Sequence, residues 1–188
     1  MANSTSPLSR RTIAKGMAWT APVVAIGVGA PHAAATPPPP PVFNFGEGCK
    51  SSGGSGKGCI GTKDSKEIPG SFKNTGTQTL VLQFTGFKLG TLTCAGGSEV
   101  GVGGVRSSSA TPLPGCASNL LNAIAIPAGA TVLFLVGSGD AGRSPSTSSS
   151  VSWRLLDASC NQLAADCATG SVSNDPCTGC SGCCDPNG

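Results

Sequence analysis

Apolar and polar residues alternate with a period of two along much of the chain, and from about Glu67 to Leu156 the pattern reads as β-strands. In Leu80-Val81-Leu82-Gln83-Phe84-Thr85-Gly86-Phe87, the residues Leu80, Leu82 and Phe84 fall on one face and Val81, Gln83 and Thr85 on the other. Asn74-Thr75-Gly76 supplies a turn before this run. In Ser150-Val151-Ser152-Trp153-Arg154-Leu155 the same alternation turns Val151, Trp153 and Leu155 inward. Thr131-Val132-Leu133-Phe134-Leu135-Val136 is apolar on both faces, which predicts a central strand, and it is too short and too β-branched for a helix. Residues 120–126 form another apolar run, closed by Pro127-Ala128-Gly129, and residues 42–45 predict a first short strand. Helical periodicity is weak after residue 36; residues 163–168 predict one helical turn at most. Short strands separated by Gly, Pro and Asn turns predict a β-sandwich or barrel.

The first 35 residues follow a different plan. A polar, basic start, an apolar stretch over residues 16–30 and the small residues Ala33-Ala34-Ala35 have the three parts of a secretory signal. The apolar stretch is shorter than the ~20 residues that span a bilayer. Ser9-Arg10-Arg11-Thr12-Ile13-Ala14-Lys15 resembles the twin-arginine consensus S-R-R-x-F-L-K, with Arg10 and Arg11 as the required pair. That resemblance implies export, with cleavage most simply before Thr36. Cleavage removes His32, the sole histidine, and Trp19, which leaves Trp153 as the one tryptophan. No Cys at the cleavage point offers a lipid site, so no stable membrane anchor is expected in the mature form, and a secreted, extracellular location is. Residues 36–41 then read as a polyproline linker, whose five prolines reach about 16 Å at ~3.1 Å each. Residues 46–61 form a Gly/Ser-rich loop bracketed by Cys49 and Cys59.

Arg10-Arg11-Thr12-Ile13-Ala14-Lys15-Gly16, followed by Pro22-Val23-Val24 and an Ala-rich end, is similar to export signals of actinobacterial secreted proteins. Phe72-Lys73-Asn74-Thr75-Gly76-Thr77 and Ile126-Pro127-Ala128-Gly129-Ala130-Thr131 resemble segments of Ig-like sandwich modules, which carry N-T-G after one strand and I-P-A-G-x-T before another. The resemblance, with the strand pattern, implies an all-β, Ig-like β-sandwich over residues 42–170; the cysteines add bracing by disulfides and a Cys-rich tail over residues 171–188. The resemblance brings no catalytic residues with it.

Charged residues make up 11% of the chain, against roughly 25% in a typical soluble protein, so Ser, Thr, Asn and Gly must build the solvated surface. The formal net charge of +3 lies in Arg10, Arg11 and Lys15; without them nine basic residues face nine acidic ones. A neutral mature chain has no basic stripe for nucleic acid and no polybasic cluster for a membrane surface.

All ten cysteines lie after residue 36: Cys49, Cys59, Cys94, Cys116, Cys160, Cys167, Cys177, Cys180, Cys183 and Cys184. An even count in an exported chain reads as disulfides. The local expectation is Cys49–Cys59, Cys94–Cys116 and Cys160–Cys167, each tying a loop beside a strand. The tail Cys177-Thr178-Gly179-Cys180-Ser181-Gly182-Cys183-Cys184 starts like a ferredoxin iron–sulfur run, which makes these four cysteines the metal candidates. Asn187 stands where the fourth cysteine of that run belongs, and the flanks are polar. A disulfide knot is therefore the expected state, with no cofactor.

Other chemistry is sparse. Gly53-Gly54-Ser55-Gly56-Lys57-Gly58 lacks the spacing of a phosphate loop. Ser-His-Asp and Cys-His sites need a histidine that the mature chain lacks. Paired carboxylates remain conceivable at Asp157 and Asp166, near a strand end, although sparse acids more commonly cap loops. Residues 144–150 read as an exposed Ser-rich hairpin loop. The expected function is a non-enzymatic module that binds a protein, glycan or cell-wall ligand, or coats a surface. The alternatives are a metal-binding or thiol-redox protein acting through the tail, and a carboxylate-dependent hydrolase.

Overall fold

Two antiparallel sheets account for the ten strands found among the described residues. The computed structural model describes residues 38–51, 59–142 and 144–177. The strands are β1 (Val42–Phe43), β2 (Cys49–Lys50), β3 (Lys66–Lys73), β4 (Leu80–Leu89), β5 (Ser98–Glu99), β6 (Val102–Ser107), β7 (Ala123–Ile126), β8 (Thr131–Ser138), β9 (Ser148–Leu156) and β10 (Gln162–Ser171). The first sheet runs β1-β3-β8-β6, with β2 also on β3; the second runs β10-β9-β4-β5, with β7 also on β4. Lettering β1, β3, β4, β6, β8, β9 and β10 as A to G gives an ABED sheet facing a GFC sheet, the immunoglobulin arrangement. The expected all-β, Ig-like sandwich is thus the fold.

Alternation accounts for the core. Ile68 and Phe72 of β3, Val132, Phe134 and Val136 of β8, and Val151, Trp153 and Leu155 of β9 meet Leu80, Leu82, Phe84, Phe87 and Leu89 of β4 between the sheets. One irregularity matters. The β4–β9 register shifts between Phe84 and Gly86, leaving Thr85 as the extra residue of a bulge. The shift resets the alternation, so Phe84 and Phe87, three residues apart, both enter the core. Phe84 stands 5.1 Å from Phe134 across the sandwich, and Phe43 caps the pair at 5.4 Å from Phe134. Gly70 makes room for that cluster, because a Cβ there would overlap the Phe134 ring and the Val42 carbonyl.

Parts of the outer faces are also covered. Val81 and Leu156, on the outside of the second sheet, pack with Ala117, Leu113 and Leu120 in a second small apolar cluster. On the first sheet, Ile60 lies over Gly137, where any side chain would collide with it.

The two segments that resemble Ig-like modules meet in space. Asn74 is fully buried, and its Nδ2 donates to the carbonyls of Gln78 (2.8 Å), Ile126 (3.0 Å) and Pro127 (3.1 Å). Its Oδ1 accepts from the Gly76 N–H, and its own N–H bonds Ala130 O. One side chain therefore locks the β3–β4 turn to the β7–β8 turn.

Several local expectations change. Residues 163–168 are strand rather than helical turn: β10 pairs with β9 along its length, and this overrides the helix preference of its alanines. Ser148, Ser149 and Ser150 belong to β9, with Ser149 and Ser150 buried, so the Ser-rich loop is shorter than expected. The first strand ends at Phe43, and Phe45–Glu47 is a 3-10 turn. Within residues 120–126 the strand is confined to Ala123–Ile126.

The cysteine pairing differs throughout from the local expectation. Cys49 joins Cys177, Cys94 joins Cys167, and Cys116 joins Cys160, across 128, 73 and 44 residues. Cys59 is also disulfide-bonded. Folding of the sandwich, not nearness in sequence, brings these partners together. Closing loops of this length constrains the unfolded chain by about 4–5 kcal/mol each in the chain-entropy model, more than the expected short loops would. None of the three crosses the core between β3 and β9, where antibody domains carry theirs. Cys116–Cys160 pins the loop that carries Ala117 to the β9–β10 turn. Cys94–Cys167 runs from the loop after β4, over β9, to the edge strand β10, and there Asp166 Oδ1 accepts the Cys167 N–H at 2.8 Å.

Asn74→Ala leaves buried carbonyls without donors and should cost about 1–3 kcal/mol. Asn74→Asp should cost more, because a carboxylate would face three carbonyl oxygens. Urea unfolding under non-reducing conditions checks this: the midpoint falls in that order at unchanged slope, and equal midpoints for all three proteins would overturn the role given to Asn74.

Candidate functional site

The chemistry-bearing side chains gather where β3 begins, at one end of the sandwich. Strand alternation turns Lys66 inward, in line with Ile68, Gly70 and Phe72, and Glu67 outward. Neither residue has exposed surface. A charged side chain that loses water needs compensating partners, and this end is built from them.

Glu67 Oε2 accepts the N–H of Cys59 and Oε1 accepts the hydroxyl of Ser65, both at 3.2 Å. Ser65 is held in turn by Ser51, whose Oγ accepts the Ser65 N–H at 2.7 Å, while the Ser51 N–H bonds Ser65 O. The Cys49 and Cys177 sulfurs lie beside Glu67; the two sulfurs and a carboxylate oxygen fall within 4.8 Å of one another. Burial pushes the Glu67 carboxyl above the ordinary glutamate value, against hydrogen bonds from Ile60, Cys59 and Ser65 and the charge of Arg106.

Inside the sheet, the Lys66 N–H donates to Ser138 Oγ at 2.9 Å, and its Nζ donates to Asn174 Oδ1 at 2.5 Å. Burial first, and then the charge of Lys50, push this amine below the ordinary lysine value. Asn174 sits on the segment that follows β10 and returns over the end of the sandwich. Val172 anchors that segment in the core. Lys50 N–H bonds Asp175 O and Cys177 N–H bonds Lys50 O, both at 2.9 Å, beside the Cys49–Cys177 bridge.

The metal candidates divide. Cys177 is bonded to Cys49; a disulfide sulfur is not the thiolate that ligates a metal. Cys180, Cys183 and Cys184 lie outside the described residues, as do Arg10, Arg11 and the glycine-rich run of residues 53–58. The carboxylate candidates do not meet. Asp166 stands opposite Trp153, four residues along β9 from Asp157, roughly 13 Å at the strand rise. Asp157 caps its own turn: Oδ1 accepts the N–H groups of Ser159 and Asn161 at 2.8 Å, and Oδ2 accepts Asn161 Nδ2 at 2.9 Å. The Asn161 side chain leads in holding its carboxyl below the usual aspartate value. A hydrolytic pair needs two carboxyl groups flanking one bond, and this placement does not supply them.

Sequence reasoning missed Lys66, Glu67 and Asn174. The signal was present for one of them: with Ile68, Gly70 and Phe72 facing inward, a period of two puts Lys66 inward as well. Asn174 follows the last strand, and no periodicity marks it.

No protein-family model matches the sequence, and no curated protein does. Among solved structures, the ASH / PapD-like domain of human CEP192 (PapD-like domain 7) aligns with a TM-score of 0.34 at 10% identity, over 74% of this chain and 89% of that one.

The buried carboxyl has a measurable consequence. A raised folded-state value means that the folded protein binds more protons than the unfolded one as pH climbs from the ordinary glutamate value to the raised one, so stability falls across that window. Glu67→Gln removes that loss. Unfolding free energies measured at stepped pH should show a negative slope in the wild-type protein and a flatter one in the variant; identical slopes would refute the assignment.

Proposed function

We propose that this chain is exported by the twin-arginine route, loses residues 1–35, and works outside the cytoplasm as a rigid, non-enzymatic module that binds a protein, glycan or cell-wall ligand or forms part of a surface layer. The observation that carries this reading is the placement of the disulfides. Cys49–Cys177, Cys94–Cys167 and Cys116–Cys160 tie loops and the terminal segment to the periphery of a small apolar core. Such bridges persist in oxidising compartments and add most where the core is modest. No helix among the described residues is long and apolar enough to cross a membrane. Asp157 and Asp166, spent on local backbone caps, support a non-catalytic role.

The ligand-facing surface is sought on the outside of the first sheet. The register there aligns Val42, Ser71 and Leu133 in one rung, and Val42 is 57% and Leu133 46% exposed. Exposed aliphatic side chains flanking a small serine on one sheet face suit contact with a partner.

Export is tested by producing the full chain in a host with a twin-arginine pathway. The medium should contain a product that starts at Thr36 and has no reactive thiol before reduction. Arg10→Lys together with Arg11→Lys should abolish its release. Wild-type protein that stays in the cytoplasm with free cysteines would remove the basis for this reading.

A further inference from the structure

Lys66 is an unusual residue to find without exposed surface, and its amine has one hydrogen-bond partner among the described residues, Asn174 Oδ1 at 2.5 Å. We infer that Lys66 and Asn174 are a reactive pair that joins β3 to the segment after β10 through an intramolecular amide bond.

The electrophile is held in place. Asn174 Nδ2 donates to Pro145 O at 2.9 Å, which turns Oδ1 toward the amine. The carbonyl bond is about 1.23 Å, so Cγ lies within about 3.7 Å of Nζ, close to attack distance. Val172, buried in the core, and the Cys49–Cys177 bridge fix the segment on both sides of Asn174. Held at this range, two groups react with the advantage of a large effective concentration.

The nucleophile is prepared. An ammonium cannot attack, and burial together with the Lys50 charge favours the neutral amine. Nζ attacks Cγ and the new C–N bond forms. The tetrahedral centre then collapses, the Cγ–Nδ2 bond breaks, and Nδ2 leaves as ammonia with the proton released by Nζ. No oxidant, reductant or second substrate is consumed. Asn174 is exposed and roofs the buried amine, so the ammonia departs to solvent.

The bond would be a staple of a different kind from the disulfides, indifferent to reductant. It does not depend on the export reading, and the protein tested can come from cytoplasm or medium. Full-length protein is incubated at mildly alkaline pH, then fully reduced, alkylated and digested with trypsin. No Lys or Arg follows Arg154 in the sequence, so the C-terminal fragment is residues 155–188. The expected result is that residues 64–73 stay covalently joined to it, with no cleavage after Lys66 and a mass lower than the sum by one ammonia. Lys66→Arg and Asn174→Ala should each abolish the joined fragment. Lys50→Gln, which acts through Lys66, should slow its appearance by about tenfold. Free 155–188 fragment with normal cleavage after Lys66 in the incubated wild-type protein would overturn the inference, whatever the variants do.

Discussion

The distance between the two sheets is set by the contact of Phe84 with Phe134, capped by Phe43, and the rest of the molecule is arranged around it. With an aromatic content of 4%, the chain has few large side chains to spend on a core. The bulge at Thr85 places two of them, Phe84 and Phe87, on the same face of one strand. Gly70 removes a side chain where the rings need space. Without either adjustment the strict alternation of β4 would turn Phe87 to the outside, and β3 would press on Phe134.

A core of this size leaves the periphery to be secured by other means. Loops fold back over the outer faces and bring a few apolar residues with them, as Ala117 and Ile60 show. Each such cover is close to a disulfide, so the covalent links stabilise what burial alone would hold weakly. Asn74 plays the corresponding part between two turns by hydrogen bonds. At the opposite end of the sandwich, Lys66, Glu67, Ser51 and Ser65 make a polar counterpart in which each buried side chain has a hydrogen-bond partner.

The strands were legible because a period of two is local information: β4, β8 and β9 and their inward faces follow from the order of residues. The resemblance to Ig-like modules also had a physical basis, since Asn74 and the turn after Ile126 are in direct contact. The disulfide pairing was not legible. Cys94 and Cys167 are neighbours because the loop after β4 reaches past β9 to the edge strand β10, and nothing near either residue encodes that. The alanines of β10 hid a strand for a similar reason, because its conformation comes from β9. Lys66 was readable in principle from the register of β3. Its contact with Asn174 depends on the path of the chain after the last strand, which pattern does not reveal.

The closure of β10 has a consequence for life in a crowd. A long edge strand ordinarily offers its open backbone groups to any neighbour with a matching edge. Here Asp166 occupies the N–H of Cys167 at mid-strand, and the Cys94 staple stands over the same rung. A second molecule that approached this edge would find the ladder interrupted at its centre.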